Sequence, residues 1–378
     1  MGGAYFPPDD KYGRPGFKTV LRKVKEAWET KREALERSGN LVIEQLRDAL
    51  SAKASSQDVP NDLAVVSVDQ CVEQLASRYD PKFGGFGSAP KFPRPVEDYI
   101  MLYKFRKHME AGKESEALNI KKMVTHTLDC MARGGVHDHV GGGFHRYSVD
   151  ECWHLPHFEK MLYDQGQIVN VYLDTFLITG DEYYSIVAHD ILDYLRRDMI
   201  VKEGEIFSAE DADSAEYEGA SRKKEGAFYV RTSKEIEDTL GENAELFKNH
   251  YYVKSSGNCD LSPMSDPHNE FSSISAFARA SQILKSGPSG NIFNFPVTGC
   301  NPVEYLEVAE NAANFIKEKL YDASSKRLHH SYRNGPSKAP GFLDDYAFLI
   351  SGLLDLYEFG GKIEWLLWAV QLQVTQAS

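Results

Sequence analysis

The stretch from Arg133 to Phe176, RGGVHDHVGGGFHRYSVDECWHLPHFEKMLYDQGQIVNVYLDTF, restricts the fold more than any other part of the chain. Five glycines and five histidines stand between Gly134 and His157. Glycines at this density call for turns, left-handed backbone or close chain approach. From Phe158 the pattern changes: Phe158, Met161, Leu162, Gln165, Ile168, Val169, Tyr172, Leu173 and Phe176 recur at helical spacing. A polar, aromatic-rich loop thus feeds a helix, and the loop ends of a helical scaffold are where reactive groups escape burial.

The same order recurs along the chain. Phe17 to Arg37 reads as an amphipathic helix, Ser38-Gly39-Asn40 interrupts it, and a second helix covers Leu41 to Ser51. The polar segment Ala52 to Asp62 is a linker, which divides the chain into parts at 1–51 and 63–378. A helix over Leu63–Tyr79 precedes the loop DPKFGGFGSAPKFPRP, again with paired glycines between aromatics. Helices follow at Val96–His108 and Ser115–Met131, and beyond the central loop at Phe158–Thr179 and Tyr183–Met199. Glu205–Tyr229 is an acidic loop, Glu235–Lys248 is helical, and 254–303 is irregular apart from a helix at Ser273–Leu284. Glu304–Leu320, Phe342–Tyr357 and Ile363–Gln373 complete the helices, with Tyr321–Pro340 a loop.

One offset, 181 residues, superposes Asp164 on Asp345, Leu173 on Leu354, Asp174 on Asp355, Gly180 on Gly361 and Ala188 on Ala369. Two readings fit: variants of one helix–glycine–helix hairpin, or chance likeness between amphipathic helices. Wide loops at one recurring phase predict a mainly α toroid of hairpins, with the loops at Gly84, Gly142 and Asp211 gathered at one end. The nearly unbroken apolar run Tyr346–Leu356 suits an inner helix.

The loop chemistry suggests a ligand or catalytic site; the alternative is a complicated loop fastened by its own hydrogen bonds. A helix beginning near Pro156 would set His157, Lys160 and Asp164 on one stripe and offer free backbone N–H groups to a ligand. His157, Asp164 and Asp211 are the catalytic candidates. Trp153, His154, His145, Glu159 and Asp345 are the ligand-binding candidates, with the Trp153 ring as a stacking surface. Paired carboxylates would serve glycoside hydrolysis, whereas a histidine base would serve epimerisation or isomerisation. The His/Cys spacing matches no strong zinc signature, so neither a metal nor another cofactor is assigned.

A formal charge of −13 weighs against nucleic acid or an anionic membrane surface as partner. No apolar run approaches a membrane span, and the first residues form no signal peptide. Five scattered cysteines without a CxxC pair fit a reducing, cytoplasmic setting rather than a disulfide framework.

The segment GGVHDHVGGGFHRYSVDECWHLPHFEKMLYDQ resembles the diagnostic stretch of a family of spermatogenesis-associated proteins that join a thioredoxin-like domain to a six-hairpin toroid. KFGGFGSAPKFP, FSAEDADS, EGAFYV and GFLDDYAFLISGLLDLYE are similar to further segments of it, so the resemblance runs along most of the chain. It implies a thioredoxin-like remnant at 1–51 without its redox motif, hence no thiol–disulfide activity from this chain. It also implies an incomplete (α/α)6-type toroid, as in a truncated or alternatively spliced form. The sequence departs from the family pattern after SDPHNEF until about Tyr305.

The implied role lies in spermatogenesis or fertility, through a pocket for a small polyol or sugar. A sugar epimerase, isomerase or glycosidase-like enzyme, a non-catalytic scaffold and an inactive isoform remain open, and the complete family member is compatible with secretion. An incomplete toroid further predicts exposed apolar surface around Leu349, Leu353 and Leu356, covered by a second copy or another protein.

Overall fold

The computed structural model describes residues 8–10, 15–54, 63–201, 206–215, 217, 219, 220, 223–250, 253 and 302–377. The expected helix Ser273–Leu284 and most of the irregular segment 254–303 lie outside these residues. The chain divides into two units, Met1–Ser67 and Val68–Ser378. In the first unit, α1 (Phe17–Ala54) consists of two helical segments, as expected, but they meet at Lys31 and not at Ser38-Gly39-Asn40. Its backbone departs from helical geometry at Lys31 (φ −132°, ψ 22°), and Ser38-Gly39-Asn40 runs through as helix. Small polar residues permit a break without imposing one.

The second unit opens with α2 (Leu63–Arg78), which begins in the first. Next come α3 (Pro95–Glu110), α4 (Glu114–Arg133), α5 (Leu162–Thr179) and α6 (Glu182–Tyr194), the last running into a π-helical turn at Leu195–Met199. The short α7 (Ser233–Leu240) and α8 (Ala244–His250) replace the single helix expected there. α9 (Pro302–Lys319), α10 (Leu343–Gly360) and α11 (Ile363–Ala377) follow.

Among the described residues, strands are two or three residues long and pair as four small ladders: β1 (Tyr147–Ser148) with β2 (Pro156–His157), β3 (Lys160–Met161) with β4 (Ala209–Glu210), β5 (Asp213–Ala215) with β6 (Lys223–Glu225), and β7 (Tyr321–Asp322) with β8 (Arg327–Leu328). The acidic segment expected as pure loop therefore contributes β4, β5 and β6. Helix α5 begins at Leu162 rather than near Pro156, because Pro156, His157, Lys160 and Met161 are taken up in strand pairing. His157 and Lys160 consequently share no helical stripe with Asp164.

The helix–glycine–helix pattern recurs in the structure, and a third hairpin among the described residues shares its features. Three loops begin on an aspartate whose Oδ1 accepts backbone N–H groups two or three residues on. Asp80 accepts from Lys82 and Phe83, Asp138 from Val140 and Gly141, and Asp322 from Ser324. In each, the residue before the aspartate bridges the apolar residue closing the turn: Tyr79 to Phe86, His137 to Phe144, Tyr321 to Leu328. Each loop then leads to a helix with a buried aspartate in its first turn: Asp98, Asp164 and Asp345. There the unpaired N–H groups and the helix dipole favour an acidic side chain.

The hairpins α3–α4, α5–α6 and α10–α11 turn on Gly112, Gly180 and Gly361, all left-handed (φ 69°, 71° and 78°). Helix α5 is apolar on most faces and buried along most of its length, with Tyr172, Leu173 and Phe176 fully enclosed. The α10 seam expected to be exposed is instead closed: Leu349, Leu353 and Leu356 are 4%, 0% and 0% exposed. Packing against α11 and α9 accounts for this, with Trp365, Trp368 and Tyr305 in the same core.

A Cβ at Gly112, Gly180 or Gly361 would meet no atom within 4 Å, so substitution there tests backbone conformation alone. Each glycine-to-alanine change is expected to cost about 1 kcal/mol in urea denaturation, with asparagine costing less. An unchanged midpoint for all three would contradict the left-handed turns.

Candidate functional site

The loops of the second unit interlock around Lys91 and Trp153. Lys91 and Ser148 exchange backbone hydrogen bonds of 2.8 Å, and the Trp153 indole N–H donates to the Phe83 carbonyl at 2.8 Å. The Gly84 loop thus meets the central loop, and the acidic segment reaches the same region through the β3–β4 ladder. Trp153 is 1% exposed, with the Lys91 ammonium 5.5 Å from its ring centre. Its ring is scaffold, with no face free for stacking.

Beneath the central loop lies Lys160, 1% exposed. Its Nζ donates to Asp138 Oδ2 at 2.7 Å and to the Gly142 carbonyl at 2.8 Å, and lies 4.3 Å and 5.2 Å from the Tyr194 and Tyr229 ring centres. Burial pushes the Asp138 carboxyl up, but the Lys160 charge outweighs it and holds the group below the usual range. The pairing of Lys160 with Glu210 in the β3–β4 ladder brings in the acidic segment, where Glu210 accepts from the Tyr194 hydroxyl at 2.8 Å. Lys91 holds Asp80 in the same way at 2.7 Å, so the buried lysine–aspartate pair is a structural device used twice.

Subtracting what the repeats share leaves a polar cluster on β2 and its neighbours. His157 is 3% exposed; its Nδ1 lies 2.6 Å from Glu225 Oε1 and its Nε2 3.3 Å from Glu159 Oε2. Only the first contact has hydrogen-bond geometry, which leaves Nε2 buried without a hydrogen-bond partner. Burial alone would lower the basicity of this imidazole, but the Glu159 and Glu225 carboxylates together raise its pKa above the usual value. Arg146 Nη1 donates to Glu159 at 2.8 Å. Asp164 is linked to these residues through Arg146: burial lifts its carboxyl to about 7 against the opposing pull of that guanidinium. Tyr147 stacks on His157 at 4.9 Å between ring centres, and Phe92 packs on Tyr147 at 4.6 Å.

The other candidates stand apart. His145 is buried edge-on against Phe158 and Tyr229, and burial plus the Lys160 charge push it down to about 3, a neutral core imidazole. His154 is exposed, and its backbone N–H donates to Asp150. Asp211 is exposed beside Lys223 at 3.4 Å, next to the β3–β4 ladder. Asp345, in another hairpin, accepts from Phe342 N at 2.7 Å and lies 2.9 Å from His330 Nδ1. Sequence reasoning left Arg146 and Glu225 without roles, although both lie in the quoted segments FHRYSVD and EGAFYV; their partners are 13 and 68 residues away. Cys71, Cys130 and Cys152 are free thiols, and burial raises the pKa of Cys130 and Cys152. Among the described residues, no group of three or more His, Cys, Asp or Glu is arranged to hold a metal ion.

Two predictions follow from these charges. Lys160→Met strands a buried Asp138 carboxylate and is expected to cost about 3–5 kcal/mol in urea denaturation. Adding Asp138→Asn, which keeps the Oδ1 acceptor, should recover part of that loss; strict additivity would show that the two do not interact. Asp164 has a folded pKa above its unfolded one, so the native state binds the extra proton and stability falls as pH rises from about 4 to about 7. His157, also raised, acts in the same direction as pH passes its folded pKa. Asp164→Asn should remove the first component, on the order of 4 kcal/mol at most, and flatten the stability profile across that window. A profile identical to the parent's would rule out the elevated carboxyl.

The Thioredox_DsbH family model, described as "Protein of unknown function, DUF255", matches residues 1–47. Spermatogenesis-associated protein 20 of Homo sapiens is 36% identical over 437 residues, spanning 100% of this chain and 55% of that protein. An uncharacterized protein of Caenorhabditis elegans is 34% identical, over 98% of this chain and 57% of its own length. The chain thus spans about half the length of the curated relatives it matches. Among solved structures, cellobiose 2-epimerase from Spirochaeta thermophila matches with a TM-score of 0.50 at 13% identity, over 85% of this chain and 72% of that one. At that identity the likeness is one of fold, and the thioredoxin-like part is indicated only by the short N-terminal match. The chain is a mostly helical homologue of spermatogenesis-associated protein 20, with a fold resembling that of cellobiose 2-epimerase.

No helix among the described residues is long and apolar enough to cross a membrane.

Proposed function

We propose that the His157 cluster is a proton-transfer site for a small sugar or polyol, of the epimerase or isomerase kind, within a longer protein that serves spermatogenesis. The observation carrying this reading is a buried histidine between two carboxylates, with a second group, Asp164, poised near neutral pH and coupled to Arg146, which holds one of those carboxylates. General acid–base catalysis is most effective when the catalytic pKa lies near the working pH. The resemblance to a cellobiose 2-epimerase fold and homology to a spermatogenesis-associated protein support the two halves of the proposal.

In this reading His157 removes the proton from the carbon next to a sugar carbonyl, leaving an enediolate. Asp164 donates to the carbonyl oxygen and recovers that proton when the product carbonyl re-forms. Return of the proton from His157 to the neighbouring carbon gives the isomer, Asp164 then taking the proton of the adjacent hydroxyl. Protonation of the first carbon by solvent water on the opposite face, with His157 releasing its proton to solvent, gives the epimer. Glycoside hydrolysis is less well served, because Glu159 and Glu225 both hold His157 instead of facing each other across a bond.

The test is exchange in deuterium oxide. The protein is incubated with D-mannose, D-glucose and cellobiose, and deuterium at C2 is followed by NMR. Incorporation is expected with at least one sugar and should fall about 100-fold or more in His157→Gln. Binding without exchange would reduce the site to a sugar-binding one, and neither binding nor exchange would remove the proposal.

A further inference from the structure

We propose that Glu225 is a positioning residue for this site: it holds the proton on His157 Nδ1 and thereby dedicates Nε2 to a ligand hydroxyl. The inference rests on the proton-transfer reading of His157 and adds a residue to it. A carboxylate can only accept hydrogen bonds, so the 2.6 Å contact requires a proton on Nδ1. The opposite nitrogen is enclosed yet without a hydrogen-bond partner, an expensive state for a buried polar atom unless a ligand completes it. Glu159 lies 3.3 Å from Nε2 but out of line, already held by Arg146 at 2.8 Å. At 3.3 Å no atom fits between Nε2 and Glu159, so a ligand hydroxyl would reach Nε2 by displacing that carboxylate.

Glu225 is itself held firmly. It ends β6, its Cα partner across the ladder is Asp213, and the next residue, Gly226, packs so closely on Phe158 that a Cβ would lie 2.6 Å from the ring. Tyr229 stacks on the same Phe158 ring at 5.4 Å. The hairpin is thus anchored beside the histidine through apolar contacts independent of the His157 bond. The charged and titratable groups facing His157 are Glu159, Glu225, Tyr147 and, through Glu159, Arg146.

Nitrogen-15 NMR of the histidines in the full chain tests this. Parent His157 should be Nδ1-protonated when neutral. Glu225→Gln should lower its pKa by about one unit and mix the tautomers, whereas Glu159→Gln should lower the pKa and leave the tautomer alone. Glu225→Asp, which keeps the carboxylate, should restore the Nδ1 tautomer at least in part and guards against misreading a folding defect. With cellobiose as probe, Glu225→Gln should weaken binding about tenfold or more while the melting temperature stays close to the parent's. An unchanged tautomer and pKa in Glu225→Gln would overturn the assignment. If the parent binds no sugar, the proton-transfer reading fails, and the NMR still decides whether Glu225 positions the imidazole.

Discussion

A cation buried beneath the central loop, Lys160, fixes the geometry of everything around it. Its ammonium ties together Asp138 and the Gly142 carbonyl on one side and the rings of Tyr194 and Tyr229 on the other. Those groups come from the loop before β1, the end of α6 and the segment after β6. An ammonium removed from water is tolerated only with a full set of compensating partners, so the loop, helix and hairpin must all arrive together. Placing Lys160 on β3 also decides where α5 begins and leaves His157 on a strand three residues upstream of the β3 ladder. The site is therefore a consequence of satisfying a buried charge.

Repetition separates scaffold from chemistry. The Asp80, Asp138 and Asp322 turns, the three left-handed glycines and the three buried first-turn aspartates recur with different neighbours, so they report what a hairpin of this kind needs. What surrounds them differs. Gln165 exchanges two hydrogen bonds with Phe144, whereas Tyr346 uses its hydroxyl to accept from Leu328 at the corresponding place. Asp345 is partnered by His330, while Asp164 has only the more distant influence of Arg146. Among the described residues, the central hairpin alone combines an elevated carboxyl with a histidine between two carboxylates.

Two histidines of that hairpin show how far environment governs a side chain. His145 and His157 are both almost fully buried, at 2% and 3% exposure. His145 faces aromatic rings and a nearby cation, and is held neutral; His157 faces two carboxylates, and its basicity rises. Burial acts on both in the same sense, and the sign of the neighbouring charge decides the outcome.

The residues alone determined the succession of glycine loop and helical hairpin, the α5 and α10 cores, and the pairing of Gly180 with Gly361. Helical periodicity and glycine's tolerance of left-handed backbone are local properties that can be read from a single segment. Local reading failed where partners lie far apart in the chain. The spacing of His157, Lys160 and Asp164 fits a helical stripe, but pairing with Tyr147 and Glu210 draws His157 and Lys160 into strands. Trp153 has the composition of a stacking platform, yet the Phe83 loop covers it. Glu225 meets His157 only because the β5–β6 hairpin folds back beside β2. Tertiary structure decided which nitrogen is held, which carboxyl is deprived of water and which aromatic ring is enclosed, because each depends on contacts and dielectric surroundings that sequence spacing does not encode.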